Sequence, residues 1–296
     1  HNSYIKRNLL RRKVQKLTKG RLDFLGYEKN NLYNTLDYLC KRNIRVIVVF
    51  FNASLYYNSY LFGTFKRYKQ MWSNLKYVLF YLDIVGVGVS INADYLREKN
   101  VFDLVYTVDK ADAEKYGMIY RKTFYSQSKR MLSKKPEQDL YFCGATKDRG
   151  EIIMECAISA DCHSVDYTMD IVCYDDTLNL NEARGINILD HRGYMSYQEV
   201  LERELNARVL LEIVQQGQVA LTLRAYEAVA YNRKLLSNNK TILSFEYYDP
   251  RFMRYFEQVK DIDWDWVKED ANVDYDYKGE FSPVLLIDDI IKRLNN

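Results

Sequence analysis

The residues best suited to chemistry lie between Gln215 and Asn239. Gln215-Gln216-Gly217-Gln218 forms a polar, glycine-bearing turn, followed by Thr222, Arg224 and Glu227 and then by Lys234, Asn238 and Asn239. The segment reads as strand, turn, helix and second strand. A turn feeding a helix N-terminus presents unpaired backbone N–H groups and the positive end of the helix dipole, which suits a phosphate. Arg224 and Glu227 are three residues apart and so share a helix face. The arginine can reach phosphate while the glutamate accepts hydrogen bonds from ribose hydroxyls, a combination suited to a nucleotide sugar. The plainer alternative is an intrahelical ion pair, which when exposed contributes only about 0.3 kcal/mol.

A second cationic cluster, Lys147 and Arg149, follows the strand-like Leu140–Cys143 and Gly144 and precedes a helix from Glu151. Two cations at a helix start oppose the dipole, and a bound anion would offset that cost. Other patterns fail on spacing. Gly86-Val87-Gly88 lacks the third glycine of a dinucleotide fingerprint. Asp261-Ile262-Asp263, Asp263-Trp264-Asp265 and Asp274-Tyr275-Asp276 look like metal-holding DxD motifs, but none follows an apolar strand and all sit in an acidic run that reads as solvated surface. Five scattered cysteines include no CxxC pair, and Cys156, Cys162 and His163 have no second half-site for zinc. Reduced, buried thiols of a cytoplasmic protein are the expectation, with no metal required.

Elements that could position these groups alternate along the chain, the pattern of an α/β protein with largely parallel sheets. Strands are expected at Ile44–Phe51, Tyr77–Asp83, Phe102–Thr107, Leu140–Cys143, Asp170–Tyr174, Ile186–Leu189, Arg208–Val214 and Lys234–Ser237. Helices are expected near Leu32–Lys41, Phe62–Trp72, Asp94–Lys99 and Lys110–Tyr116. Ser196-Tyr197-Gln198-Glu199 is a capping box with Met195 and Val200 as its hydrophobic staple, leading into Val200–Leu205. Pro283–Leu294 reads as a terminal helix that packs back on the N-terminal domain. The polar, basic stretch Tyr125–Gln138 is the candidate linker, dividing the chain into domains 1–135 and 136–296. Two such units would hold ligands between them, at the carboxyl ends of their strands.

The 48% hydrophobic and 28% charged content describes a globular protein with ample core, and no apolar run is long enough to span a bilayer. A start at His1, with no signal-like apolar segment, predicts a processed or trimmed chain. Net charge is only +3, unevenly spread. Lys6 to Arg21 carries cations and no acid, with Ile5, Leu9, Val14 and Leu17 along one side. Residues 5–21 would either lie on an anionic membrane surface or pack as a solvated helix on their own domain. The 27 tyrosines suit stacking on sugar rings, but the abundance of Asn and Lys equally fits compositional drift. No nucleic-acid partner is expected.

Leu210–Asn239 resembles a bacterial surface-polysaccharide glycosyltransferase family of the GT-B type. The resemblance is carried by Glu212-Ile213-Val214, Gln218, Leu221-Thr222-Leu223-Arg224-Ala225, Glu227-Ala228 and Lys234 through Lys240. It extends to Tyr141–Arg149, Tyr194–Leu201 and Thr107–Gly117. It implies two Rossmann-like domains facing a cleft. The second would hold a nucleoside-diphosphate sugar and the first a glycan or lipid-linked acceptor, in lipopolysaccharide or capsule assembly on the inner face of the plasma membrane. By position in the motif, Glu227 looks like a ribose-binding glutamate and Lys147, Arg149 and Arg224 like diphosphate contacts. Gly144, Gly217, Gln218, Thr222, Asn238 and Asn239 complete the expected donor site. The sequence departs from the family where a basic, helix-like segment precedes Leu22–Tyr27, so the N-terminal domain is either remodelled or incomplete.

Sugar transfer calls for a base on the acceptor hydroxyl. Asp83, ending the strand Tyr77–Leu82, is the first candidate, against the plainer role of a turn residue. His191, after Ile186–Asp190, is the second, against a phosphate contact beside Arg192. A retaining transfer would need no such base. A non-catalytic nucleotide- or glycan-binding protein on the same fold is the alternative.

Overall fold

A computed structural model describes residues 29–51, 62–82, 84–85, 100–128, 135–173, 183–189 and 195–295, with side chains from Thr35 onward. The expectations placed on the basic segment 5–21, on Gly86-Val87-Gly88, on the helix Asp94–Lys99, and on Asp83 and His191 fall outside these residues. The chain divides into two compact units. The first comprises residues 1–106 with 116–119 and the second the remainder, so the division runs through the ends of two strands.

The first sheet has strands β1 (Val46–Phe51), β2 (Leu75–Tyr81), β3 (Leu104–Thr107) and β4 (Ile119–Tyr120) in sequential order. The β-branched run Val46-Ile47-Val48-Val49 pairs in parallel with β2, from Val46 opposite Leu75 to Phe51 opposite Phe80. Helices α1 (Lys29–Lys41) and α2 (Phe62–Met71) cover this sheet. Leu36, Phe62 and Phe65 close over Leu75, Tyr77, Leu79 and Tyr81 to make the unit's core. Asp103 clamps one corner, accepting from the Tyr77 amide at 2.8 Å and pairing with Lys69 and Lys76.

The second unit contains α3 (Lys110–Tyr116), β5 (Gln138–Ala145), α4 (Gly150–Cys162), β6 (Tyr167–Val172), β7 (Ile186–Leu189), α5 (Tyr197–Glu204), β8 (Ala207–Glu212), α6 (Leu223–Ala230), β9 (Lys234–Ser237), β10 (Met253–Tyr255), α7 (Trp264–Lys268) and α8 (Pro283–Asn295). Its six strands run in the order β7-β6-β5-β8-β9-β10, with every neighbouring pair parallel. Numbered within the unit this is 3-2-1-4-5-6, the dinucleotide-fold order, which reverses between β5 and β8.

Alternate strand residues serve opposite faces. Leu140, Phe142, Met169, Ile171, Val209 and Leu211 meet α4 and the tryptophans of α7 on one side. Leu210 and Leu235 meet α5 and α6 on the other. The capping box at Ser196 is formed in both directions. Strands and helices observed bear out the α/β expectation, with α3, β7 and β9 at the expected limits. Two features differ from the sequence reading. Tyr125, at the start of the expected linker, is buried against the second unit's core, and its amide donates to Phe281 O at 2.7 Å. The acidic run also holds a core element: Asp263 caps α7 by accepting from the Trp266 amide and pairs with Arg254, while Trp264, Trp266 and Val267 are buried. No described helix is long and apolar enough to cross a membrane.

Candidate functional site

An open α/β sheet binds ligands outside the carboxyl ends of its strands where the strand order reverses. Here that point lies between Ala145, ending β5, and Glu212, ending β8. The loop Thr146–Arg149 leaves one side and the loop Ile213–Thr222 the other. Two side chains tie the loops together. Arg149 donates from Nε to Ala145 O at 2.9 Å and from Nη1 to Ile213 O, and Asp148 Oδ2 accepts from the Gln216 amide at 3.0 Å.

Gly144 leaves room for this arrangement. A Cβ there would sit 2.8 Å from Arg149 Nη2 and 3.0 Å from Phe142 Cζ, so the missing side chain is the space the guanidinium occupies. Burial lowers the Arg149 pKa from its ordinary value, opposed by Asp148 and Glu212. Lys147 is exposed, with a left-handed backbone (φ 43°) that turns the chain sharply into α4. The two cations expected side by side therefore diverge: Arg149 braces the crevice and Lys147 stands in solvent.

Beside the switch point, the ends of β8 and β9 border an open groove of about 410 Å³ lined by Val214–Val219 and Asn238–Thr241. Gly217 lies on this lip with φ +80°, a conformation that favours glycine, and the adjacent Gln218 amide closes the turn onto Gln215 O at 3.1 Å. Asn238 and Asn239 border the same groove, yet much of their hydrogen bonding is internal. Asn238 Oδ1 accepts from the Val214 amide at 2.8 Å. Asn239 Nδ2 donates to Ala220 O at 3.1 Å, and its Oδ1 accepts from the Thr241 amide at 3.0 Å.

Thr222 is the N-cap of α6, its hydroxyl accepting from the Arg224 amide at 3.2 Å. Arg224 and Glu227 do share a helix face, but it is the inward one. Arg224 Nη1 pairs with Glu204 of α5 and with Glu227 Oε2 at 3.2 Å, and Nη2 donates to Cys143 O at 3.3 Å. Glu227 is 2% exposed and accepts from the Tyr197 hydroxyl at 2.7 Å; that hydroxyl in turn bonds Tyr125. Burial raises the Glu227 pKa, against the opposing pull of Arg224 and Tyr197. Burial likewise raises the Tyr125 and Tyr197 hydroxyls above their ordinary values.

The sequence reading did not single out Glu212 as a site residue. The last residue of β8, it is 3% exposed at the switch point. Oε1 accepts from the Thr222 hydroxyl and from its amide at 3.3 Å, and Oε2 accepts from the Ser237 hydroxyl. Burial raises its pKa, while these donors and the Arg149 charge pull it down. In the sequence Glu212 is marked by ending an apolar strand and by belonging to the Glu212-Ile213-Val214 match of the resemblance. Among the described residues, no group of three or more His, Cys, Asp or Glu is arranged to hold a metal ion.

No protein-family model and no curated protein matches the chain. Among solved structures it is similar to a glycosyltransferase from Rickettsia africae ESF-5, with a TM-score of 0.44 and 11% identity over 83% of this chain and 74% of that one. It is also similar to TarM, with a TM-score of 0.48 and 12% identity over 80% of this chain, and spans about half of TarM's length (51%). A third similarity is to an α,α-trehalose-phosphate synthase (UDP-forming) from Burkholderia vietnamiensis, with a TM-score of 0.45 and 9% identity, covering 79% and 70% of the two chains. The fold of the second unit is defined by its own strand order.

Proposed function

We propose that this chain is a glycosyltransferase that takes a sugar from a nucleoside-diphosphate donor. The observation that carries the reading is the switch point of the second unit. There the loop carrying Lys147 and Arg149 leaves β5 and the loop carrying the Gly217 turn leaves β8 toward the start of α6, at the kind of position where sheets of this order receive a ligand. The sequence resemblance supplies the sugar. In transfer, the acceptor oxygen bonds to the anomeric carbon as the bond from that carbon to the diphosphate breaks, and negative charge develops on the departing phosphate. Fixed cations and backbone N–H groups stabilise that charge without reorganising. Lys147 is the exposed cation for this role and Arg149 the preorganised one. Gly217 and Gln218 let the donor approach the backbone. Arg224 and Glu227 lie beneath the surface, and any contact they make with phosphate or ribose requires their present partners to yield.

The acceptor is a glycan or lipid-linked glycan of bacterial surface-polysaccharide assembly, with residues 5–21 resting on an anionic membrane surface. Asp83 and His191 are the candidates for the base. Calorimetric titration with uridine, guanosine, adenosine and thymidine diphosphates tests the donor site. Micromolar binding of one of them, weakened about tenfold by Lys147→Gln, is expected. Failure of all four to bind sinks the reading. Product mass shifts with membrane extract as acceptor source then separate a transferase from a protein that only binds nucleotide or glycan.

A further inference from the structure

Glu212 is costly where it stands. A carboxylate removed from water is tolerated when it is paired and hydrogen-bonded. Among the described residues, the Glu212 side chain accepts from two hydroxyls and an amide and has no cation in hydrogen-bond contact. Its position explains what those bonds accomplish. Glu212 and Ser237 are register partners in β8 and β9 and point to the face covered by α6. From this pair the hydrogen bonds spread to both lips of the groove. On one lip Oε1 holds the Thr222 amide and hydroxyl, fixing the end of the Gly217 turn and the start of α6. On the other, the Ser237 hydroxyl, while donating to Oε2, accepts from the Asn239 amide at 2.9 Å. Asn239 then reaches back to Ala220 O and forward to the Thr241 amide. The Glu212 carbonyl itself accepts from the Asn238 amide at 3.3 Å. The circuit closes on one carboxylate.

We propose that Glu212 is the positioning residue of the diphosphate site, setting the Gly217 turn and the Asn238–Thr241 loop at a fixed separation before a ligand arrives. This rests on the function proposed above. It assigns Glu212 no contact with the ligand. A carboxylate suits the role because its two oxygens accept from both lips at once, where a neutral amide would have to turn one end into a donor toward a hydroxyl already engaged.

Two measurements on the full chain test it. Amide hydrogen exchange at Thr222, Asn239 and Thr241 reads the circuit without any ligand. Glu212→Ala is expected to raise exchange at all three, Glu212→Gln to raise it less, and Ser237→Ala to raise it at Asn239 and Thr241. Titration with uridine and guanosine diphosphates reads the consequence. At temperatures where each variant is fully folded by circular dichroism, Glu212→Ala weakens binding about tenfold or more, and Glu212→Gln recovers part of the loss. Unchanged exchange at the three amides overturns the proposal whether or not a nucleotide binds. Raised exchange with unchanged affinity overturns the positioning role and leaves a structural clamp. If the native chain binds no nucleoside diphosphate while exchange still rises in the variants, the functional reading fails and takes the positioning role with it.

Discussion

α6 begins between two buried carboxylate clusters built on opposite principles. Around Arg224, Glu204 and Glu227 share one guanidinium, which also reaches the Cys143 carbonyl, and Tyr197 and Tyr125 extend the network. At the end of β8, Glu212 has two hydroxyls and one amide but, among the described residues, no ion-pair partner. The first cluster ties α5, α6 and β5 together through one guanidinium shared by two carboxylates. The second joins two loops at the edge of a groove, and its charge gains nothing comparable from its surroundings. Buried ionic groups that outlive their electrostatic cost are often retained for specificity of arrangement rather than stability, and that distinction is testable here.

The sharpest break is Arg224→Met. Removing the guanidinium in contact with two buried carboxylates is expected to cost about 3–5 kcal/mol of unfolding free energy in urea titrations. A loss below about 1 kcal/mol would place this cluster in the same class as Glu212. The next effect is on pH. The Glu227 pKa is raised in the folded state, so its contribution is fully present below its unfolded value of about 4.3 and is lost as pH rises through the folded value. Glu227→Gln removes that decline, visible as a flatter dependence of the urea midpoint on pH above 4, with a difference of at most about 1.4 kcal/mol per pH unit. The smallest change in stability is expected for Glu212→Gln. Neutralising a buried carboxylate that lacks a cation shifts unfolding free energy by less than about 1 kcal/mol, read by the same titration. A loss comparable to that of Arg224→Met would erase the contrast.

Lys234 offers a control away from both clusters. Its ammonium caps α7, donating to the Trp266 and Glu269 carbonyls over the Trp266 ring, and burial lowers its pKa to about 8. Between about pH 8 and the unfolded value near 10.4 the unfolded chain holds the proton and the folded chain does not, so this group makes stability rise with pH. Lys234→Met is expected to abolish that rise relative to the native chain in parallel melts at pH 8 and 9.5.

Much of the scaffold was legible from periodicity. Ile186–Leu189 and Lys234–Ser237 are strands bounded by turn residues, and the Ser196–Glu199 box marks α5 because its chemistry is entirely local. What escaped depends on partners distant in sequence. Met253–Tyr255 is three residues long and is a strand because β9 pairs with it. Asp263-Trp264-Asp265 reads in sequence as solvated acid, yet Asp263 caps a helix whose tryptophans fill the core beneath α4. In the site, the three-residue spacing identified Arg224 and Glu227 as sharing a helix face but could not say which way it turned; Glu204, twenty residues earlier, decides that. Glu212 acquires its role only from the register that sets Ser237 opposite it.

The strand order also decides which parts of the chain the site joins. β5, β6 and β7 are consecutive in the chain, as are β8, β9 and β10, so each half of the sheet can assemble from near neighbours. The seam between β5 and β8 is the one join in this sheet between strands that do not follow one another in the chain. Arg149 and Asp148 reach across that seam to Ile213 and Gln216. A ligand seated there would bind the joined sheet and neither half alone, so its binding would hold the two halves together.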